Sequence, residues 1–365
     1  MGLFNESTGI EAINVRTKKS PLLGIDISSS VVKVLELSKK GEKYTVESYS
    51  VEPLPVNAVV ESRIENRDEV AGAIRRAVKR SGTKAKEAAV AVSANSAISK
   101  IVSFPASLSE RELEENVLME AENYIPYPLD EVRLDFEILG PSAADVEAVD
   151  VLLAASRREN VDVRTEVVEK AGLKPRLVDV EAYTMENAFE LIARQLPHHG
   201  QGLTVAVADV GATLTTLHVL VDGKIVFTRE QTFGGRMLTE DIERHYGMSY
   251  QEAGRAKKDG SLPDDYGPKV LEPFKRSMAM TVTRALQFFF SASTQYQSID
   301  HIILAGGCAS IEGIDTMIEE ETGTSTSIAN PFAEMILGSR VKIQALSNDA
   351  PSMMIACGLA MRSFD

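Results

Sequence analysis

Short apolar runs broken by small-residue turns, interleaved with helical periods, dominate the pattern along this chain. Leu22-Leu23-Gly24-Ile25-Asp26-Ile27 and Val31 to Leu37 read as two strands joined through Ser28-Ser29-Ser30. Tyr44 to Tyr49 alternates polar and apolar residues as a third strand. Glu69 to Arg80 places Val70, Ala73, Ile74 and Ala77 on one helical face, and Ser81-Gly82 closes it. Ala88 to Ser93 is a further apolar strand.

Residues 97–175 read β-α-β-β-α, a compact α+β unit inserted in a larger frame. Its first helix starts at Ser107 or Ser109 and reaches Ala121, with Glu110 and Glu112 in the first turn. Pro126 and Pro128 prevent the helix from continuing. Leu177 to Val180 predicts a strand and Tyr183 to Gln195 a helix.

The second half then repeats the opening. Val205 to Val210 is a strand that ends next to Asp209, Gly211-Ala212-Thr213 is a tight turn, and Leu214 to Val221 is the returning strand. Asp222-Gly223 marks a two-residue hairpin into Lys224 to Glu230. Two halves that both open with strand, Asp, small-residue turn and strand imply an internal duplication.

Composition narrows the classes. The chain has 365 residues, 44% hydrophobic and 25% charged, enough for two or three packed domains. A formal charge of −14, from 39 Lys plus Arg against 53 Asp plus Glu, argues against a nucleic-acid surface. Cys308 and Cys357 are too few for a disulfide framework, and neither has the neighbours of a zinc site. The first residues lack a signal-peptide pattern, and the most apolar window, Leu203 to Val221, is interrupted by Asp209 and His218. The expectation is a cytoplasmic protein, with residues 1–20 a loosely held arm.

The turns supply the candidate chemistry. A hairpin of small residues exposes backbone N–H groups that can cradle a phosphate. A carboxylate at the strand end can hold a hydrated Mg²⁺ bridging phosphate oxygens. Asp26 before Ser28, Ser29 and Ser30, and Asp209 before Gly211, Ala212 and Thr213, fit that role twice, with Lys33 placed to neutralise a terminal phosphate. Each turn alone also reads as an ordinary β-turn capped by its Asp; two matched copies favour the phosphate reading. His301 to Ser310 adds an apolar strand meeting Gly306-Gly307, where a base or phosphate can approach the backbone. No P-loop and no GxGxxG turn is present.

The order of these three elements resembles the actin-like ATPase superfamily, which includes actin, the division protein FtsA and the sugar kinases. Asp26 to Lys33 is similar to its first phosphate motif, Val205 to Thr213 to its second and Leu304 to Ala309 to its adenosine motif. Val178-Asp179-Val180-Glu181-Ala182 resembles the connecting motif in which Glu181 would orient an attacking water. Leu22 to Ser29, Val51-Glu52-Pro53-Leu54-Pro55, Tyr124-Ile125-Pro126, Phe233-Gly234-Gly235 and Leu304 to Gly307 together resemble the PilM family of type IV pilus assembly proteins. That resemblance implies an α/β, bilobed actin-like fold of two RNase H-like domains with an inserted subdomain of the FtsA/PilM type. The expected divisions are an arm at 1–20, first lobe at 21–96, insertion at 97–175, first lobe again at 176–200, second lobe at 201–345 and a returning C-terminal helix at 346–365.

The resemblance further implies ATP with Mg²⁺ held by Asp26 and Asp209 between the lobes, contacts from Gly234 and Gly235, and adenosine contacts from Arg255 and Lys257. It implies a cytoplasmic scaffold at the inner membrane that docks the N-terminal tail of PilN between first lobe and insertion. Other pilus assembly proteins and a ring of like subunits would accompany it. Ser28 stands where actin-like proteins carry Gly, and Gly254 where family members carry an acid; both imply slow or absent hydrolysis. The alternatives are a sugar-kinase-type phosphotransferase and a filament-forming FtsA-like ATPase. Among the remaining features, Phe288-Phe289-Phe290 and Met278, Met280, Met353 and Met354 are expected in the core. Glu112, Glu114 and Glu115 form an acidic helix face, and His218 and His301 are expected as satisfied strand histidines.

Overall fold

In the computed structural model, which describes residues 21–293 and 295–364, the chain forms two units. The expected arm at residues 1–20 lies outside the described residues. The first unit runs to Thr184 and regains residues 336–340 and 356 onward; the second takes Met185–Met335 and Val341–Ile355.

In the first unit, β1 (Leu22–Ile27), β2 (Val31–Lys40) and β3 (Lys43–Pro53) form a meander, followed by the small hairpin β4 (Val59–Val60) and β5 (Arg63–Ile64). Then come α1 (Arg67–Ser81) and β6 (Glu87–Val92). β1 is buried over Leu23 to Asp26, as a central strand covered on both faces must be, whereas β3 alternates buried and half-exposed positions. α1 forms because Asn66 caps it, accepting from Glu69 N–H, and because Gly82 (φ 69°) ends it left-handed. The insertion contains β7 (Ala97–Pro105), α2 (Glu110–Ala121), β8 (Val132–Pro141) and β9 (Ala148–Arg157). These strands make a separate sheet, order β7-β9-β8, over a small core of Phe104, Leu113, Val117, Val151 and Leu153. α3 (Arg158–Lys170) leaves that sheet: Val161, Val167 and Val168 join the first-lobe core with Ile74 and Val90. β10 (Lys174–Val180) completes the main sheet, and α4 (Glu181–Ala193) carries the chain out of the unit.

The second unit contains β11 (Thr204–Val210), β12 (Thr215–Val221), β13 (Lys224–Gln231), α5 (Gly235–Tyr246), α6 (Tyr250–Asp259), α7 (Glu272–Ala292), β14 (His301–Ala305), α8 (Ile314–Thr322) and β15 (Thr326–Ile328). Asp222 (φ 50°) and Gly223 (φ 77°) make the two-residue turn between β12 and β13. Two main sheets result: β3-β2-β1-β6-β10 and β13-β12-β11-β14-β15. In each, the first three strands pair antiparallel and the last two pair parallel to the central one. The duplication is thus present strand for strand, the RNase H-like plan repeated.

The C-terminal stretch departs from the single helix expected over 346–365. β16 (Ile336–Leu337) pairs parallel with β3, extending the first sheet. α9 (Ile343–Asp349) gives way to a 3₁₀ turn at Ala350–Met353, where Pro351 cannot supply an N–H, before α10 (Met354–Met361). Met280 also departs from expectation. It is 48% exposed, because Met278, Val282, Ala285 and Phe289 take the buried face of α7 and Met280 lies opposite. Phe289 is buried as expected, whereas Phe288 is 47% exposed. Among the described residues no helix is long and apolar enough to cross a membrane.

Candidate phosphate-binding turns

In the first unit, Asp26 and Lys33 face each other across the β1–β2 ladder, a register that the hairpin imposes. Lys33 Nζ lies 2.7 Å from Asp26 Oδ2, with both side chains buried, so the lysine assigned to a terminal phosphate is paired with the acidic residue assigned to the metal. The serine turn is tight: Ser28 donates to Val31 O from both its N–H (3.1 Å) and its hydroxyl (3.0 Å). Leu54 N–H donates to Ser30 O at 2.8 Å, tying the turn to the chain after β3.

Glu181 opens α4 directly after β10. Beside it, Asp179 accepts from Val180 N–H through Oδ1 (2.7 Å) and places Oδ2 3.2 Å from Arg362 Nε, with both side chains largely covered. Arg164 on α3 is also buried, donating to the carbonyls of Ala91 (2.6 Å), Asn160 (3.1 Å) and Ser62 (2.9 Å). Burial lowers the Arg164 guanidinium pKa, and the Glu181 carboxylate opposes that shift. Arg164 and Arg362 were invisible to sequence reasoning, since nothing in their spacing relates them to Glu181.

In the second unit the predicted residues gather. Gly211 N–H donates to Leu214 O (2.9 Å), closing the turn. Gly235 and Arg236, the first residues of α5, donate to Gly211 O (3.0 Å) and Ala212 O (2.7 Å). A Cβ on Gly234 would sit 2.5 Å from the Ala212 carbonyl carbon, so only glycine permits this approach. Gly306 (φ 84°) lies against Asp209; a Cβ there would meet Asp209 Oδ1 at 2.4 Å. Lys257 Nζ donates to Thr239 Oγ1 (2.7 Å) and Gly235 O (3.3 Å), and burial lowers its pKa. Arg255 is exposed on the same helix, where it acts on Glu252. Gly307 has open space around its Cα. Cys308 was missed: its Sγ donates to Gly211 O at 3.4 Å, and burial pushes its pKa up to about 11. Thr239 was missed too, although its place four residues after Gly235 puts both on one helix face.

A separate cavity of about 180 Å³ opens where the insertion meets its lobe, lined by Asn95, Ser96, Ile125, Tyr127, Arg157 and Asn160. Arg157 lies 5.3 Å from the Tyr127 ring centre. Among the described residues no group of three or more His, Cys, Asp or Glu is arranged to hold a metal.

The family described as type IV pilus assembly protein PilM matches residues 24–364. The chain belongs to the PilM family. A solved structure titled as a PilM-PilN type IV pilus biogenesis complex is similar at 26% identity and a TM-score of 0.77, covering 95% of this chain and 99% of that one. The ethanolamine utilization protein EutJ from Carboxydothermus hydrogenoformans is similar at 16% identity and a TM-score of 0.56, covering 93% and 89%. At that identity the second likeness bears on fold alone. In this chain the architecture is the two duplicated sheets and the separate insertion sheet described above.

Proposed function

We propose that this chain is an ATP-binding scaffold of the type IV pilus inner-membrane platform, docking the cytoplasmic N-terminal tail of PilN. The observation that carries the nucleotide part is positional. Asp26 and Asp209 occupy the same place in two duplicated sheets, each separated by one strand residue from a close-packed turn. Mg²⁺ takes one or two carboxylates and completes its shell with phosphate oxygens and water. Asp26 and Asp209 would hold that ion. Ser28 to Ser30, Gly211 to Thr213, Gly234-Gly235 and Gly306-Gly307 would offer backbone to the phosphates and adenosine. The half-buried Lys257 would contribute positive charge, and Arg255 would reach the nucleotide only by leaving its exposed position.

The cavity at Asn95, Tyr127 and Asn160 supports the tail-docking part, since it combines polar groups with Ile125 and an aromatic wall. The likeness to a PilM-PilN complex over nearly the whole chain supports the same partner. Membrane association is then indirect, through PilN. Hydrolysis is slow or absent, with Glu181 the residue to orient water. Calorimetric titration of MgATP into the whole chain tests the nucleotide assignment. Asp26→Asn and Asp209→Asn are each expected to weaken binding about tenfold or more while circular dichroism stays unchanged. Unchanged affinity in both variants would remove the assignment.

A further inference from the structure

The outer face of α7 presents side chains that its own core does not cover. Arg276, Met280, Arg284 and Phe288 recur every four residues and stand in one row along the helix. Arg229 of β13 lays its guanidinium 3.5 Å from the Phe288 ring centre, holding that exposed ring in place. Arg229 Nε is buried without a hydrogen-bond partner. Among the described residues none of Arg229, Arg276 and Arg284 forms an ion pair. In a chain of net charge −14, a row of arginines alternating with exposed apolar groups fits an acidic, partly apolar helix.

The chain itself carries such a helix. On α2 of the insertion, Glu114 and Leu118 recur at four-residue spacing, and Glu122, the C-cap with helical φ −59° and ψ −27°, continues the row. Leu118 is 44% exposed, beside Met119. Glu112, expected on this acidic face, is instead used locally: it accepts from Ser109 N–H in a capping box. Each row, Glu114–Leu118–Glu122 and Arg276–Met280–Arg284, spans about 12 Å. We propose that α2 of one copy docks on the α7 face of a second copy, its two glutamates meeting the two arginines while Leu118 covers Met280. The two faces differ, so the contact is heterologous, and its repetition builds a ring or an open filament. It rests on neither the nucleotide nor the tail-docking reading.

Sedimentation velocity on the full chain at low salt, over a concentration series, tests the contact. Wild type is expected to associate. Glu114→Lys/Glu122→Lys and Arg276→Glu/Arg284→Glu, each alone, should weaken association about tenfold or more with unchanged melting temperature. An equimolar mixture of the two variants should associate again, because each then presents the face that the other lacks. A wild type that stays monomeric, variants that associate like wild type, or a mixture that fails to recover would each overturn the proposal. So would a monomeric wild type that binds phosphatidylglycerol vesicles through Arg276 and Arg284, which would assign the face to a membrane.

Discussion

His218 shows how one buried group can set a pH dependence. It sits in β12, fully enclosed, with Nδ1 3.0 Å from Thr228 Oγ1, and burial pushes its pKa down to about 4. The folded chain therefore keeps this imidazole neutral down to about pH 4, whereas the unfolded chain protonates it near pH 6.5. Between those values the unfolded state binds more protons, so stability is complete above pH 6.5 and falls as the pH drops towards 4. Urea titrations at pH 7.5 and pH 5 should differ by about 2 kcal/mol more in wild type than in His218→Gln. Equal pH slopes would show that His218 is not excluding a proton. At this scale the strand histidines and the acidic turns were readable from residue type and local pattern. The pairing of Asp26 with Lys33 was not, because it depends on which residues the ladder sets opposite each other.

At the scale of elements, the C-terminal helix is held by contacts that only glycine allows. α10 is apolar all round, the pattern of a helix with no solvent face. A Cβ on Gly24 would sit 2.3 Å from Ala356 O, and one on Gly358 would sit 1.8 Å from Thr184 O. The backbones of β1, α10 and the start of α4 therefore touch without intervening side chains. Gly358→Ala is expected to lower stability by about 3 kcal/mol or more, seen as a reduced urea midpoint. Gly72→Ala in α1 meets only the mobile end of Arg76, at 3.4 Å, and should raise stability by about 0.5–1 kcal/mol. A tolerant Gly358 would mean that α10 packs less closely than this. The strands and helices read from alternation, caps such as Ser109 and stops such as Gly82 fold within a few residues of their expected bounds. The short β4, β5, β15 and β16 and the helix α8 were not read. The break at Pro351 and the departure of α3 to the lobe core were not read either, since Val161, Val167 and Val168 would suit either core.

For the whole molecule, the proposed scaffold would bind a nucleotide and a partner tail on one chain, so any coupling between them is reciprocal. If MgATP changes the affinity for a PilN tail peptide, the peptide must change the affinity for MgATP by the same factor. Paired titrations by calorimetry are expected to show a coupling of about fivefold or more in both directions. A factor of one in both would separate the two activities and leave the nucleotide a purely structural ligand. The same titrations on Arg164→Lys are informative. Arg164 bonds Asn160, which lines the cavity, and its charge is felt by Glu181.

Local order was enough to read much of this chain: repeated strand–Asp–turn–strand units, a separate α+β insertion and helix caps all depend on neighbours close in sequence. Those features follow from side-chain period, backbone freedom at glycine and the loss of an N–H at proline. Contacts between distant residues had to come from folding. Cys308 against Gly211, Arg362 against Asp179, Lys257 under Gly235 and the exposure of Met280 and Phe288 are set by how strands and helices pack, and packing has no signature in the spacing of residues along the chain.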